Sequence, residues 1–144
     1  MSLKSSDHSR LEKIGKTMKQ AILEHLNFTV TDVDKTAGIL SQLFGWEIRW
    51  QGSSIHGGRS IHVGNDQQYL ALYSNERVGN RNVNSYESKG GLNHLGVIVD
   101  DLDSVEEKVL AAGFTTKNHD DYDPGRRFYF DDHDGIEFEV VSYA

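Results

Sequence analysis

Apolar and polar residues follow a strand-like period of two, then a helical period of 3.6, then a period of two again, and this order occurs twice along the chain. In the first copy, Asp32 is a suitable N-cap for the helix and Gly45 is a suitable stop. The first copy predicts a strand over 22–31, a helix over 33–44 and strands over 46–51, 59–63 and 68–74. It therefore has the order βαβββ.

The second copy repeats this order at an offset of 68 to 69 residues, since segment 25–32 is echoed by 94–101, and Gly45 by Gly113. It predicts a strand over 92–99, a helix over 102–112 and strands over 114–117, 127–131 and 136–143. A repeat of this length is a supersecondary unit. The pattern thus predicts an α+β fold in which two βαβββ modules form a half-open mixed sheet around a cleft.

The repeat also predicts the domain organisation. Residues 1–21 are expected to be an N-terminal extension with a helix, because apolar residues recur at helical spacing over 9–21. Residues 22–144 are expected to form one domain, with module one at 22–74, a connector at 75–91 and module two at 92–144. The connector is long for a compact domain, so it fits either a plain linker or a lid or hinge.

Side chains alternate across a strand, so each predicted strand has one face toward its module's helix and one face away from it. His25 and His94 occupy equivalent positions on the face away from the helices, and Glu139 shares that face in the last strand, opposite Ala71 in the repeat. Two imidazoles and a carboxylate suit divalent Fe, Mn, Zn, Ni or Co and leave open positions for a substrate. We predict a metal site at His25, His94 and Glu139, with Glu137 as the competing carboxylate.

The same face predicts a substrate cleft lined by Tyr69, Tyr73 and Tyr129. Tyr129 is the candidate catalytic residue, because a phenol can donate a proton to a substrate. Simple packing with the hydroxyl in water is the alternative for all three. Arg59 and Arg127 are equivalent at an offset of 68 and are expected on the cleft face, where an arginine can bind a carboxylate or phosphonate. Salt bridges to nearby acidic residues are the alternative for both.

The remaining histidines receive no chemical role from the pattern. They lie in loops, at a terminus or on a packing face, and solvated or structural roles are expected for His8, His56, His62, His119 and His133.

Composition and charge argue against several classes of function. The net charge of −7 argues against a nucleic-acid partner, which requires a basic surface. No run is long and apolar enough for a membrane span, and no secretory signal is recognised. The absence of cysteine excludes disulfides, zinc–thiolate sites and cysteine catalysis. We expect a cytoplasmic protein with a small-molecule substrate.

Three segments resemble the vicinal oxygen chelate superfamily, which includes glyoxalase I, extradiol dioxygenases, fosfomycin-resistance enzymes and bleomycin-resistance proteins. Segments 25–32 and 94–101 are similar to the family's strands that begin with a metal-binding histidine, and 128–139 is similar to its closing aromatic–Asp-Pro-Asp-Gly–Glu segment. The resemblance covers about 23–143. It implies paired βαβββ modules, a half-open barrel around a divalent metal, and usually a homodimer.

The resemblance also implies that His25, His94 and Glu139 are metal ligands and that the substrate chelates the metal through neighbouring oxygens. Ala71 stands where glyoxalase I-like members carry a fourth ligand, Glu or Gln, which argues against standard methylglyoxal chemistry. We expect a glyoxalase- or dioxygenase-like metal enzyme, that is, a lyase, isomerase, transferase or dioxygenase. The alternative is a metal-free binding protein of the bleomycin-resistance type, and the retained ligand triad favours the enzyme.

Overall fold

The computed structural model describes residues 20–144 with the exception of Asp123. The helix expected over 9–21 lies outside the described residues, apart from Gln20 and Ala21, which are not helical. The chain divides into two compact units. The first comprises the described residues up to Ser41 together with Trp46–Glu76, and the second comprises Gln42–Gly45 and Arg77–Ala144. The expected domain boundaries remain a prediction.

The first unit carries a four-stranded mixed sheet. Its elements in chain order are β1 (His25–Thr29), α1 (Val33–Phe44), β2 (Glu47–Ser54), β3 (Gly58–Gly64) and β4 (Tyr69–Ser74), with the end of α1 from Gln42 onward counted in the second unit. The strand order is β1-β4-β3-β2, with β1 parallel to β4 and the other pairs antiparallel. Asp32 caps α1, because its Oδ1 accepts two backbone N–H groups of the first turn at 3.1 Å each.

The second unit repeats this topology. Its elements are β5 (Leu95–Ile98), α2 (Leu102–Ala111), β6 (Thr116–Tyr122), β7 (Gly125–Asp131) and β8 (Glu137–Ser142). The strand order is β5-β8-β7-β6, and again only the first pair is parallel. Asp101 caps α2 through a 3.1 Å bond from the backbone N–H of Ser104. The predicted α+β fold with two βαβββ modules is therefore confirmed.

Equivalent hydrogen bonds fix the outer strand pair of each unit. The Ser74 hydroxyl donates to the carbonyl of Thr31 at 3.0 Å, and the Ser142 hydroxyl donates to the carbonyl of Asp100 at 3.1 Å. Both bonds join the end of the last strand to the segment that leads into the helix. The two copies therefore share structural detail that a similarity of hydrophobic pattern alone does not require.

The cores of the two units differ in side-chain type. The helix side of the first sheet is aliphatic and that of the second is aromatic, as the fully buried residues show: Ile61, Val63 and Leu72 against Phe128, Phe130 and Phe138. The rings of Phe130 and Phe138 stack with centroids 5.1 Å apart. Such a ring pair adds about 0.5–1.5 kcal/mol beyond its buried area.

The hairpin turns before β4 and β8 use the same side-chain cap with a different residue. The Oδ1 of Asn65 accepts two backbone N–H groups at 2.9 and 3.1 Å, and the Oδ1 of Asp132 accepts two at 2.9 and 3.0 Å. Asn65 is exposed, whereas Asp132 is buried and its Oδ2 has no hydrogen-bond partner among the described residues. Burial raises the pKa of the Asp132 carboxyl, which two backbone bonds partly oppose.

Some strands differ from the expected ones. β1 is shorter than the predicted 22–31, and Leu26, expected to be buried, is 38% exposed. β6 extends well beyond the predicted 114–117 and contains a register shift, with Asn118 in the left-handed region at φ 53°. A bulge of this kind adds a residue that strict alternation does not reveal. Within the described residues, no helix is long and apolar enough to cross a membrane.

Candidate functional site

The candidate chemistry lies on the sheet face opposite each unit's buried core, which we call the open face. In the second unit, cross-strand pairing places Tyr129 beside Glu139 and Arg127 beside Val141 on this face. These residues alternate with buried Phe128 on the other face. The alternation deduced from the sequence therefore places these side chains on the expected side of the sheet.

A network of ionisable side chains covers the open face of the second unit. The Nε2 of His94 lies 3.3 Å from Oε1 of Glu139, and its Nδ1 lies 3.9 Å from Oε1 of Glu137. Arg127 Nη1 donates to the other Glu139 oxygen at 2.8 Å, and Lys117 Nζ lies 3.0 Å from Glu137 Oε2. The two carboxylates are thus both held by a cation and both turned toward one imidazole.

Tyr129 lies within this network. Its ring meets the ring of His94 edge to face, with centroids 5.8 Å apart. Burial, the charge of Glu139 and a hydrogen bond to Glu139 raise the pKa of the phenol, and Arg127 opposes them. The hydroxyl therefore keeps its proton at neutral pH and is able to donate it.

The open face of the first unit is built around the ring of Tyr69. The rings of His25 and His62 stack on it, with centroids 4.9 and 4.7 Å away, and the Arg49 guanidinium carbon lies 4.3 Å from its centroid. The Trp50 ring lies 5.0 Å from that of His62. Of these residues, only His25 and Tyr69 belong to the site deduced from the sequence.

The structure corrects the expected packing role of His62. This residue pairs across the sheet with Ala71 and lies on the open face, at the position that Tyr129 occupies in the second unit at an offset of 67. Burial, followed by the charges of His25 and Arg49, lowers its pKa. The alternation of Ile61 and Val63 with His62 was the sequence signal that could have found it.

The structure also corrects Arg59, which was expected on the cleft face. Cross-strand pairing gives an offset of 67 between β3 and β7, so the equivalent of Arg59 is Arg126 and not Arg127. Arg59 binds Asp34 in the first turn of α1 at 3.1 Å, and Arg126 binds Asp103 in the first turn of α2 at 2.9 Å. An error of one residue moves a side chain to the other face of a strand.

Tyr73 has a structural role in the described residues. Its hydroxyl donates to the carbonyl of Ile55 at 2.6 Å and accepts a bond from Asn75 Nδ2 at 3.0 Å. A Cβ added at Gly58 would lie 2.5 Å from its ring. The side chain therefore holds the turn between β2 and β3, which agrees with the packing alternative.

The donors of the second unit fit a divalent ion in part. Among the residues that the structure describes, no group of three or more His, Asp or Glu side chains is placed to hold a metal. His94 Nε2 and Glu139 Oε1 lie 3.3 Å apart, and two atoms at that separation can both reach one ion at roughly 2.0–2.2 Å. His25 lies in the first unit, where its Nδ1 is 2.9 Å from Oε1 of Glu24. Two of the three predicted ligands are thus brought together.

The chain matches the model of the glyoxalase/bleomycin resistance protein/dioxygenase superfamily over residues 22–140. It belongs to this superfamily, as its sequence resemblance predicted. A comparison with curated proteins gives no match.

Solved structures of superfamily proteins share the fold. A glyoxylase/bleomycin resistance protein/dioxygenase domain from Frankia sp. EAN1pec is 21% identical with a TM-score of 0.73, over 86% of this chain and 98% of that one. A glyoxalase family protein from Enterococcus faecalis is 20% identical with a TM-score of 0.69, over 86% and 99%. The fosfomycin resistance protein FosX from Listeria monocytogenes, crystallised with Mn(II) and sulfate, is 19% identical with a TM-score of 0.63, over 87% and 93%.

Proposed function

We propose that this chain is a divalent-metal-dependent enzyme of the glyoxalase and dioxygenase type, acting on a small substrate that binds through neighbouring oxygens. The observation that carries the proposal is the 3.3 Å approach of His94 Nε2 to Glu139 Oε1 on the open face. His25 is the proposed third ligand, because it holds the position equivalent to His94 in the repeat. The FosX structure that contains Mn(II) supports a metal in a relative of this fold.

When bound, a divalent ion would supply Lewis-acid stabilisation of a developing oxyanion on the substrate. The residues of the chain supply the rest. Arg127 holds one oxygen of Glu139 at 2.8 Å, which leaves the other oxygen directed at His94. Tyr129, whose phenol remains protonated beside Glu139, is the proposed proton donor to the substrate.

The proposal excludes standard glyoxalase I chemistry. Ala71 stands at the fourth ligand position and its side chain has no donor atom or titratable group. Its backbone carbonyl is occupied by a 2.9 Å bond from the Asn27 side chain. A reaction that needs a carboxylate at this position is therefore not expected.

One observation favours a second function, metal-free binding of a small molecule. Both carboxylates of the open face already have a cation within 3.0 Å, since Arg127 binds Glu139 and Lys117 binds Glu137. A site neutralised in this way is stable without a metal ion. The same face would then bind a drug-sized molecule by its aromatic and charged side chains.

Metal content separates the two functions. We expect near-stoichiometric metal in protein purified without chelator, and a loss of affinity of at least about 100-fold in Glu139→Gln and His94→Ala. His119→Ala is a matched control, because His119 forms another exposed His–carboxylate pair of the same unit, 2.6 Å from Glu106. Calorimetric titration with Mn(II), Zn(II) and anaerobic Fe(II) gives the affinities.

Absence of metal binding in the wild type, or equal binding in His94→Ala and His119→Ala, would contradict the enzyme proposal and leave the binding protein. If the protein binds metal, its reaction is tested with two groups of substrates. Catechols with Fe(II) test dioxygenase activity, and fosfomycin with Mn(II) tests the chemistry suggested by the FosX relatives.

We further propose a homodimer, which the sequence resemblance implies. Ile98, in the edge strand β5, is 66% exposed. An edge strand presents unpaired backbone groups with which another chain can pair. Light scattering after size-exclusion chromatography should give twice the chain mass of 16.2 kDa, and a monomer at all concentrations would contradict this.

A further inference from the structure

The open face of the first unit contains a positive charge that has no counter-ion within the described part of the chain. Arg49 lies over the ring of Tyr69, and no carboxylate of the described residues forms an ion pair with it. Glu24, an acidic residue of this cluster, is engaged by His25 at 2.9 Å and by the Tyr69 hydroxyl at 3.5 Å. The guanidinium is therefore available to a negatively charged ligand.

A β-bulge directs Arg49 to this position. The pairing of β2 with β3 runs from Ile48 beside Val63 to Trp50 beside His62, so Arg49 is an extra residue on its strand. Bulges often re-aim a side chain next to a functional site. Here the extra residue adds a guanidinium to a face that already carries the Trp50 and His62 rings.

Two buried nitrogens of this cluster lack hydrogen-bond partners. They are Nη1 of Arg49 and Nδ1 of His62, neither of which has a partner among the described residues. His62 is only 9% exposed. Buried polar groups are almost always paired, with protein or with a bound molecule, so two orphaned nitrogens against one ring require an explanation.

We propose that Arg49 and His62 form a binding site for a small oxyanion, a carboxylate, phosphonate or phosphate, walled by Tyr69 and Trp50. The planar guanidinium matches the oxygens of such a group, and the imidazole supplies a second polar atom. Aromatic walls exclude water and strengthen both contacts. That the anion is part of the substrate rests on the proposed function, whereas the binding site itself does not.

Sequence reasoning placed an anion-binding arginine at Arg59 or Arg127. Each of these binds a carboxylate in the structure, Asp34 and Glu139 respectively. Arg49 takes over the role because its charge is not neutralised in this way. The proposed anion site therefore belongs to the first unit alone.

Anion binding to EDTA-treated protein tests the site. The probes are inorganic phosphate, methylphosphonate and acetate, with glycerol as a neutral control, and the readouts are Trp50-sensitive fluorescence and phosphorus NMR line width. We expect millimolar or tighter binding of at least one anion, none of glycerol, and a loss of at least about tenfold in Arg49→Met. Comparison of the three anions identifies the preferred group.

Two variants complete the test. His62→Phe keeps a ring against Tyr69 but removes both nitrogens, and it should weaken binding severalfold. Arg59→Met is the matched control, since its arginine belongs to the same unit but binds Asp34 on the other face, and it should bind anions as the wild type does. Circular dichroism checks that each variant is folded.

Equal anion binding in Arg49→Met and Arg59→Met, or no binding of any probe to the wild type, would overturn the site. The outcome is distinct from that of the metal experiment, because no metal is present. If the protein binds metal but no anion, the proposed function stands and the anion site is wrong. If it binds anions but never a metal, the anion site stands and the proposed function is wrong.

Discussion

On the open face of the first unit, the Arg49 guanidinium lies against an aromatic ring, whereas on that of the second unit Lys117 and Arg127 lie against carboxylates. Tyr69 stacks with His25 and carries Arg49 over its ring, while its counterpart at an offset of 68, Glu137, is bound by Lys117. Ala71 has Glu139 as its counterpart. The same backbone register thus supports two kinds of surface.

The helix sides of the units do not diverge in this way. The capping aspartates, the arginine–aspartate pairs and the serine bonds to the preceding carbonyl occur in both copies. These contacts are therefore features of the shared module and do not distinguish the two copies. The open faces carry few of these contacts, and they are where the copies have acquired separate chemistry.

The largest change in stability is expected from substitutions in the two cores, one of which is aromatic and the other aliphatic. Phe130→Ala removes a ring that stacks with Phe138, and should lower the free energy of unfolding by about 3–5 kcal/mol. Its counterpart Val63→Ala removes two methyl groups, and should cost about 2 kcal/mol. Urea unfolding followed by circular dichroism measures both, and equal losses would contradict the difference.

A smaller effect is expected from the two cleft-candidate arginines. Arg127→Met leaves the largely buried Glu139 without its cation, and should cost about 1–3 kcal/mol of stability and weaken metal binding. Arg59→Met breaks an exposed pair with Asp34 and should change neither quantity measurably. If both variants behaved alike in thermal unfolding and metal titration, the separation of the two faces would be wrong.

The smallest change in stability is expected from the two hairpin turns, and it should depend on pH. Burial raises the pKa of Asp132 above its unfolded value, so the folded state binds the extra proton and stability falls as pH rises from about 4 through the folded pKa. Asp132→Asn copies the Asn65 turn and removes the buried charge. Its melting temperature should therefore exceed that of the wild type at pH 7 and converge with it near pH 3.

The reciprocal variant is the control for the turns. Asn65→Asp places a carboxylate at an exposed position, where ionisation carries no burial cost. It should melt as the wild type does across the same pH range. A gain in Asp132→Asn that persisted at pH 3 would show that the effect is not due to ionisation.

Most of the fold was predictable because it depends on periodicity. The bounds of α1 agree with the predicted 33–44, and the buried Val33, Ala37 and Leu40 are three of the four residues in its predicted stripe. The open-face positions of His94 and Glu139 follow from alternation in the same way. The offset of 69 between His25 and His94 was visible directly, because identical residues mark it.

Most of the residues that were not predicted correctly depend on structural features that hydrophobic periodicity does not reveal. Arg49 reaches Tyr69 because of a bulge in β2, and a bulge is a property of strand pairing and not of a single strand. Arg59 was predicted on the wrong face because an offset of 68 relates it to Arg127, whereas the pairing of β3 and β7 gives an offset of 67. His62 is the exception, because its alternation with Ile61 and Val63 does place it on the open face.

The offset between the two copies changes along the chain, which matters for aligning them. The second copy is two residues shorter than the first between β1 and β3, because the offset falls from 69 to 67 over that span. A change of one residue within a strand would exchange every inward and outward side chain beyond it, whereas a change of two residues keeps each side chain on its face. The pairs Arg59–Asp34 and Arg126–Asp103 therefore serve as structural reference points for aligning the two copies, because a single constant offset would misalign these strands.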